Sequence, residues 1–123
     1  MAVPSHRAFR KSLSMTTLEP EKLAHELSVR GLDWADKDSA YKALDDATKS
    51  ILSECIASLN EELSATAAET KARRSPKFME HLSDKAHARK ECNRSRVNYD
   101  TYKAFVELVR SREATERALA SLV

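Results

Sequence analysis

Residues 71–77 read Lys71-Ala72-Arg73-Arg74-Ser75-Pro76-Lys77. Ser75 followed by Pro76 has the form of an N-cap and a first helical position: serine accepts a bond from an early helix amide, and proline has no amide to leave unpaired. Lys71, Arg73 and Arg74 suit the end of a preceding helix, where the dipole favours cations. The stretch therefore predicts a tight turn between two helices that lie antiparallel as neighbours. Downstream, a helix is expected from Pro76 to about Leu119, with no internal Gly or Pro and a length of about 65 Å. Within it Ala88, Cys92, Ser95, Tyr99, Tyr102, Val106 and Val109 alternate in steps of four and three. That is a coiled-coil seam, weak at its first positions and strong at its last.

Upstream of the turn, a helix is expected from about Trp34 to Arg73. Ala40, Leu44, Ala47, Ile51 and Cys55 form one apolar stripe, and Leu52, Ile56, Leu59, Leu63 and Ala67 an adjacent one. The combined arc is wide enough to pack between two neighbours. A short leading helix over about 18–30 would supply the second. Thr16 with Glu19 has capping-box spacing, and Pro20 suits the first turn. Gly31, the one glycine in the chain, is read as its left-handed C-terminal cap with Leu32 as the apolar clip, and Asp33 as the cap of the next helix. The competing reading runs the helix straight through Gly31, at a cost of about 1 kcal/mol relative to Ala. Trp34 would anchor the resulting corner.

Composition agrees with an all-α fold: a long antiparallel helical hairpin, coiled-coil-like, preceded by a short helix. The chain has 123 residues, one domain's worth, with 33% charged residues, one Gly and three Pro. So few turn-formers argue against a sandwich, a barrel or an alternating βαβ fold. No apolar run reaches membrane-spanning length. Residues 1–15 contain Arg7, Arg10 and Lys11 and no acid. They are expected to be a disordered basic arm, with a transit peptide as the alternative, and Met15 is a candidate second start beside Met1. The single helical domain then covers 16–123.

A net charge of +2 conceals a division. Residues 17–70 carry five basic and twelve acidic groups, and residues 71–123 thirteen basic and seven acidic. The densest basic stretch is 71–96, at one end of the expected hairpin. Its candidate contacts for nucleic acid or an acidic partner are Arg73, Arg74, Lys77, Arg89, Lys90, Arg94 and Arg96. The plainer account is that an acidic helix pairs with a basic one. A second apolar set on the last helix includes Met79, Ala86, Val97, Ala104, Leu108 and Leu119, with Phe105 near its edge. Either the leading helix folds back to cover it or a second copy does. The homo-oligomer reading puts Met79, Val97, Phe105 and Leu108 in the interface.

Chemistry has little support. Of His81, Asp84 and His87, only the last two share a helix face, so no metal site is expected from one chain. His25, one turn after Glu21, is a surface pair. Cys55 and Cys92 fall on apolar stripes as small buried hydrophobes, on partner helices where they could face each other. No glycine-rich loop can cradle a phosphate. Ser75, after two arginines, would be an exposed kinase-like target, though capping is its plainer role. Tyr99, Tyr102 and Phe105 fall at core spacing rather than as stacking platforms. No catalytic residue or cofactor is expected.

Two stretches carry a resemblance. Gly31-Leu32-Asp33-Trp34-Ala35-Asp36-Lys37-Asp38 leads into the second helix. Cys92-Asn93-Arg94-Ser95-Arg96-Val97-Asn98-Tyr99-Asp100 is followed by Glu107-Leu108-Val109-Arg110-Ser111-Arg112-Glu113-Ala114-Thr115-Glu116-Arg117. Over about residues 29–118 the chain resembles short all-helical proteins of tailed phages and prophages, a group to which no activity is assigned. The resemblance implies a phage-encoded accessory in the host cytoplasm, near DNA recombination or acting against a host defence, and carries over no site residues. The expectation is a non-enzymatic binding protein contacting DNA or an acidic protein through its basic end. The rivals are a scaffolding homo-oligomer, and an inhibitor of a host nuclease or defence complex whose acidic helix imitates DNA.

Overall fold

The computed structural model describes residues 19–122; the expected basic arm over 1–15 and the Thr16 cap lie outside them. Three helices are described: α1 over Pro20–Ala57, α2 over Ala65–Arg73 and α3 over Pro76–Ala120. No strand occurs among the described residues. The two long helices, α1 and α3, pack against each other. Ser75 caps α3 as its sequence predicts: its hydroxyl donates to the Ala72 carbonyl at 2.6 Å and accepts from the Phe78 amide at 3.4 Å. Pro76 opens the helix.

Among the less exposed positions of α3 one row runs Phe78, His81, Lys85, Ala88, Cys92, Ser95, Tyr99, Tyr102, Val106 and Val109. The step alternates between three and four throughout, the period of a coiled-coil seam. On α1 the matching row is Leu23, Leu27, Arg30, Trp34, Lys37, Tyr41, Leu44, Thr48, Ile51 and Cys55. The predicted α3 seam is present in full and extends back to Phe78.

Contacts divide the fold into two compact units. One joins residues 19–33 to 96–122. Its core is Leu23, Tyr102, Val106 and Val109, with Leu27 and Phe105 packed against it. The other is Trp34–Ser95, with Cys55, Ala72 and Phe78 at its centre and Ile51, Leu52 and Ile56 around them. Partners run in opposite directions in both. In the first unit Leu23 shares a core with Tyr102, Val106 and Val109, and Arg30 meets Asn98. In the second, Asp38 meets Cys92, Asp45 meets Lys85 and Glu54 meets Lys77.

Two expected boundaries are corrected. The helix does not break at Gly31: α1 is continuous through it, and no positive φ occurs among the described residues. Leu32 is exposed rather than clipped, and Trp34 sits half-buried in mid-helix, not at a corner. The reason lies across the seam. A Cβ on Gly31 would come within 3.3 Å of the Tyr99 ring, so glycine admits the ring, and packing outweighs the capping preference. The break falls instead over 58–64, so the helix expected over 34–73 is the end of α1 plus α2. The Ser58 hydroxyl bonds back to the Glu54 carbonyl and the Leu59 amide to the Ile56 carbonyl, tightening the last turn. Ser64 then caps α2 by accepting from the Ala67 amide. Serine and asparagine compete with helix backbone in this way. The second apolar stripe is therefore cut, and Leu63 and Ala67 are exposed.

Candidate nucleic-acid interface

The unit Trp34–Ser95 contains most of the predicted basic cluster, and cross-helix pairing uses up part of it. Lys77 donates to Glu54 at 2.8 Å. That bond holds the Glu54 carboxyl below its ordinary range and raises the Lys77 ammonium. Lys85 lies 2.7 Å from Asp45, and its hydrogen bond to that carboxylate raises its pKa. Arg73 pairs with Glu69 one turn back at 2.8 Å and lies 6.0 Å from the centre of the Phe78 ring. Lys71 pairs with Glu61 across the α1–α2 break. Acidic α1 does pair with basic α3, as the plainer account of the charge division expects.

What remains is a narrower surface. After Asp84, the exposed side chains of α3 in this unit are Ala86, His87, Arg89, Lys90, Asn93 and Arg94. None is acidic. The intervening carboxylate, Glu91, is half-buried beside the seam and reaches Arg94 at 3.7 Å. Arg89 and Lys90 have no ion-pair partner among the described residues. Lys90 and Arg94 stand one turn apart, so they share a face. Arg74 is also without an ion pair among the described residues; it caps α2 in the turn, about 20 Å from Arg89 at 1.5 Å per residue. Arg96 belongs to the other unit and likewise has no described ion pair. Of the seven predicted contacts, then, Lys90 and Arg94 share a face, Arg89 stands about 100° round the helix from Lys90, Arg73 and Lys77 are engaged internally, and Arg74 and Arg96 stand apart. Asn93 and His87 were missed; their exposure follows from the seam at Ala88, Cys92 and Ser95, a signal that the α3 pattern already contained.

The predicted oligomer residues divide too. Met79, Val97 and Leu108 are exposed, and no leading helix folds back over them. Phe105 is half-buried against the core of its own unit, its ring 5.8 Å from that of Tyr102.

The chemical candidates find structural roles. His81 is buried and its Nε2 lies 2.9 Å from the Thr48 hydroxyl. That hydroxyl donates its proton to the Leu44 carbonyl at 3.1 Å, so Nε2–H is the donor to Thr48. Asp84 and His87 are exposed. Among the described residues no three His, Cys, Asp or Glu side chains gather as metal ligands would. Cys55 and Cys92 are buried and free but do not face each other: Cys55 packs on Ala72 and Phe78, and the Cys92 thiol lies 3.8 Å from Asp38 Oδ1. Asp38 is held below its ordinary pKa, chiefly by the Lys42 ammonium and to a lesser degree by the Cys92 thiol. Ser75 is half-buried and bonded on both sides, not an exposed target. No described helix is long and apolar enough to cross a membrane. Comparison with protein-family models, curated proteins and solved structures gives no match.

Proposed function

We propose that the protein is a non-catalytic accessory that binds a partner of clustered negative charge through the outward face of α3 between Ala86 and Arg94. The observation that carries this reading is the group of exposed cations Arg89, Lys90 and Arg94, two of them without an ion pair among the described residues, in a unit where most other cations have one. Fixed like charges along one helix raise the local potential and attract an anionic partner. With the resemblance to phage-encoded helical proteins, the reading makes it an accessory of the host cytoplasm. Retention on heparin–agarose tests it. The triple variant Arg89→Glu, Lys90→Glu, Arg94→Glu should elute at much lower salt while its helical circular dichroism is unchanged. Elution of parent and variant at the same salt would remove the assignment.

A second reading, a homo-oligomer, is favoured by Val97 and Leu108, which are 59% and 68% exposed on one helix. Light scattering on Val97→Glu with Leu108→Glu decides it: a scaffold falls to monomers, and a monomeric protein does not change mass.

A further inference from the structure

The composition of the same face narrows the partner, and this step rests on the reading just proposed. Protein partners are gripped by buried aromatic or aliphatic anchors, with charge at the rim. The α3 face from Ala86 to Arg94 has no such anchor: its exposed side chains are Ala86, His87, Arg89, Lys90, Asn93 and Arg94. The exposed large apolar residues nearest it on α3 are Leu82, one turn before Ala86, and Val97, about one turn after Arg94; the stretch between them holds none. Single-stranded nucleic acid is gripped by aromatic platforms on which bases stack. Trp34, Tyr41 and Phe78 of this unit are all buried or half-buried, so the unit offers none. What this side of α3 does present is guanidinium, ammonium and amide groups, spread over the half of the helix turned away from the seam. These are the donors that bind phosphate oxygens without reading bases. We infer that the partner is double-stranded nucleic acid, held by its phosphate backbone against Arg89, Lys90, Asn93 and Arg94.

The salt dependence follows from the count of cations. Three neutralised phosphates give a slope of log K against log salt of about −2.7, so affinity falls about 40-fold between about 50 and about 200 mM salt. Each of Arg89→Gln, Lys90→Gln and Arg94→Gln should reduce the slope by about 0.9. Lys49→Gln, which removes an exposed lysine on α1 of the same unit, should leave it unchanged. Fluorescence anisotropy of the full chain is measured against three probes: a mixed-sequence DNA duplex, one of its strands alone, and polyglutamate. Circular dichroism of each variant confirms folding. Preferential duplex binding with the stated slopes supports the inference. Equal or tighter binding of the single strand overturns it, as does a slope insensitive to the three substitutions. Polyglutamate binding without duplex binding overturns it while leaving the polyanion reading intact. Binding to none of the three, with no heparin retention, removes both.

Discussion

Tyr102 offers a sharp test of the packing, because its hydroxyl is buried and finds no hydrogen-bonding partner among the described residues. The ring itself is well placed. It belongs to the core with Leu23, Val106 and Val109, and the Arg30 guanidinium sits 4.4 Å from its centroid. Glu26 and Asn98 hold that guanidinium from either side, at 2.8 and 2.6 Å. Tyr102→Phe keeps the ring, its contacts and the cation–π partner, and removes only the unmatched hydroxyl. A buried polar group without a partner costs about 1–3 kcal/mol. Taking the lower end, the variant should gain about 1 kcal/mol, or about 4 °C in Tm for a domain of this size. Urea unfolding followed by circular dichroism should show a higher midpoint with the same m-value. A loss of about 1 kcal/mol instead would show that the hydroxyl makes a bond of value in the folded protein, and the reasoning would fail. The alkaline limb gives a second readout. Burial, and next the Glu26 carboxylate, raise the Tyr102 pKa above the ordinary 10.0, with Arg30 opposing. A raised acid contributes fully to stability below its unfolded pKa, and that contribution is lost as pH rises through the folded value. Tyr102→Phe should remove that loss.

Three further outcomes are expected. Gly31→Ala should gain less than the about 1 kcal/mol that helix propensity alone offers, because a Cβ there meets the Tyr99 ring at 3.3 Å; in a Tyr99→Ala background the same substitution should gain more, and an equal effect in both backgrounds in urea unfolding would refute the contact. Thr48→Val should cost about 1–3 kcal/mol by stranding the His81 Nε2–H, and His81→Leu on top of it should recover part of that cost; additive effects in the double-mutant cycle would refute the bond. Glu54 contributes stability above its ordinary carboxyl pKa, lost as pH falls through the lowered folded value. Thermal melts of Glu54→Gln from neutral to strongly acidic pH should therefore be flatter than the parent's, and parallel curves would count against the Lys77 pair.

The turn at Ser75-Pro76 and the α3 seam could be read because each is encoded locally, in a cap and in a period. Gly31 was misread because its partner, the Tyr99 ring, comes from a distant part of the chain. A glycine that admits a ring and a glycine that ends a helix look the same in sequence. The break over 58–64 was missed for the opposite reason: it contains neither Gly nor Pro, while Leu59 and Leu63 continue the apolar period across it. For the candidate interface, the density of charge was legible but its availability was not. Whether Lys77 and Lys85 are free depends on their standing opposite Glu54 and Asp45, and that register is set by seam packing rather than by composition.

The segment 58–64 places Glu61 and Glu62 at the surface and leaves the contacts of Cys55 with Ala72 and Phe78 on either side of it. A glutamate-specific endopeptidase should therefore cleave there without releasing either product. Produced as two peptides divided at this point, the chain should reconstitute on mixing. The loop is thus a natural place to graft a reporter, or to make assembly of the protein conditional on two genes.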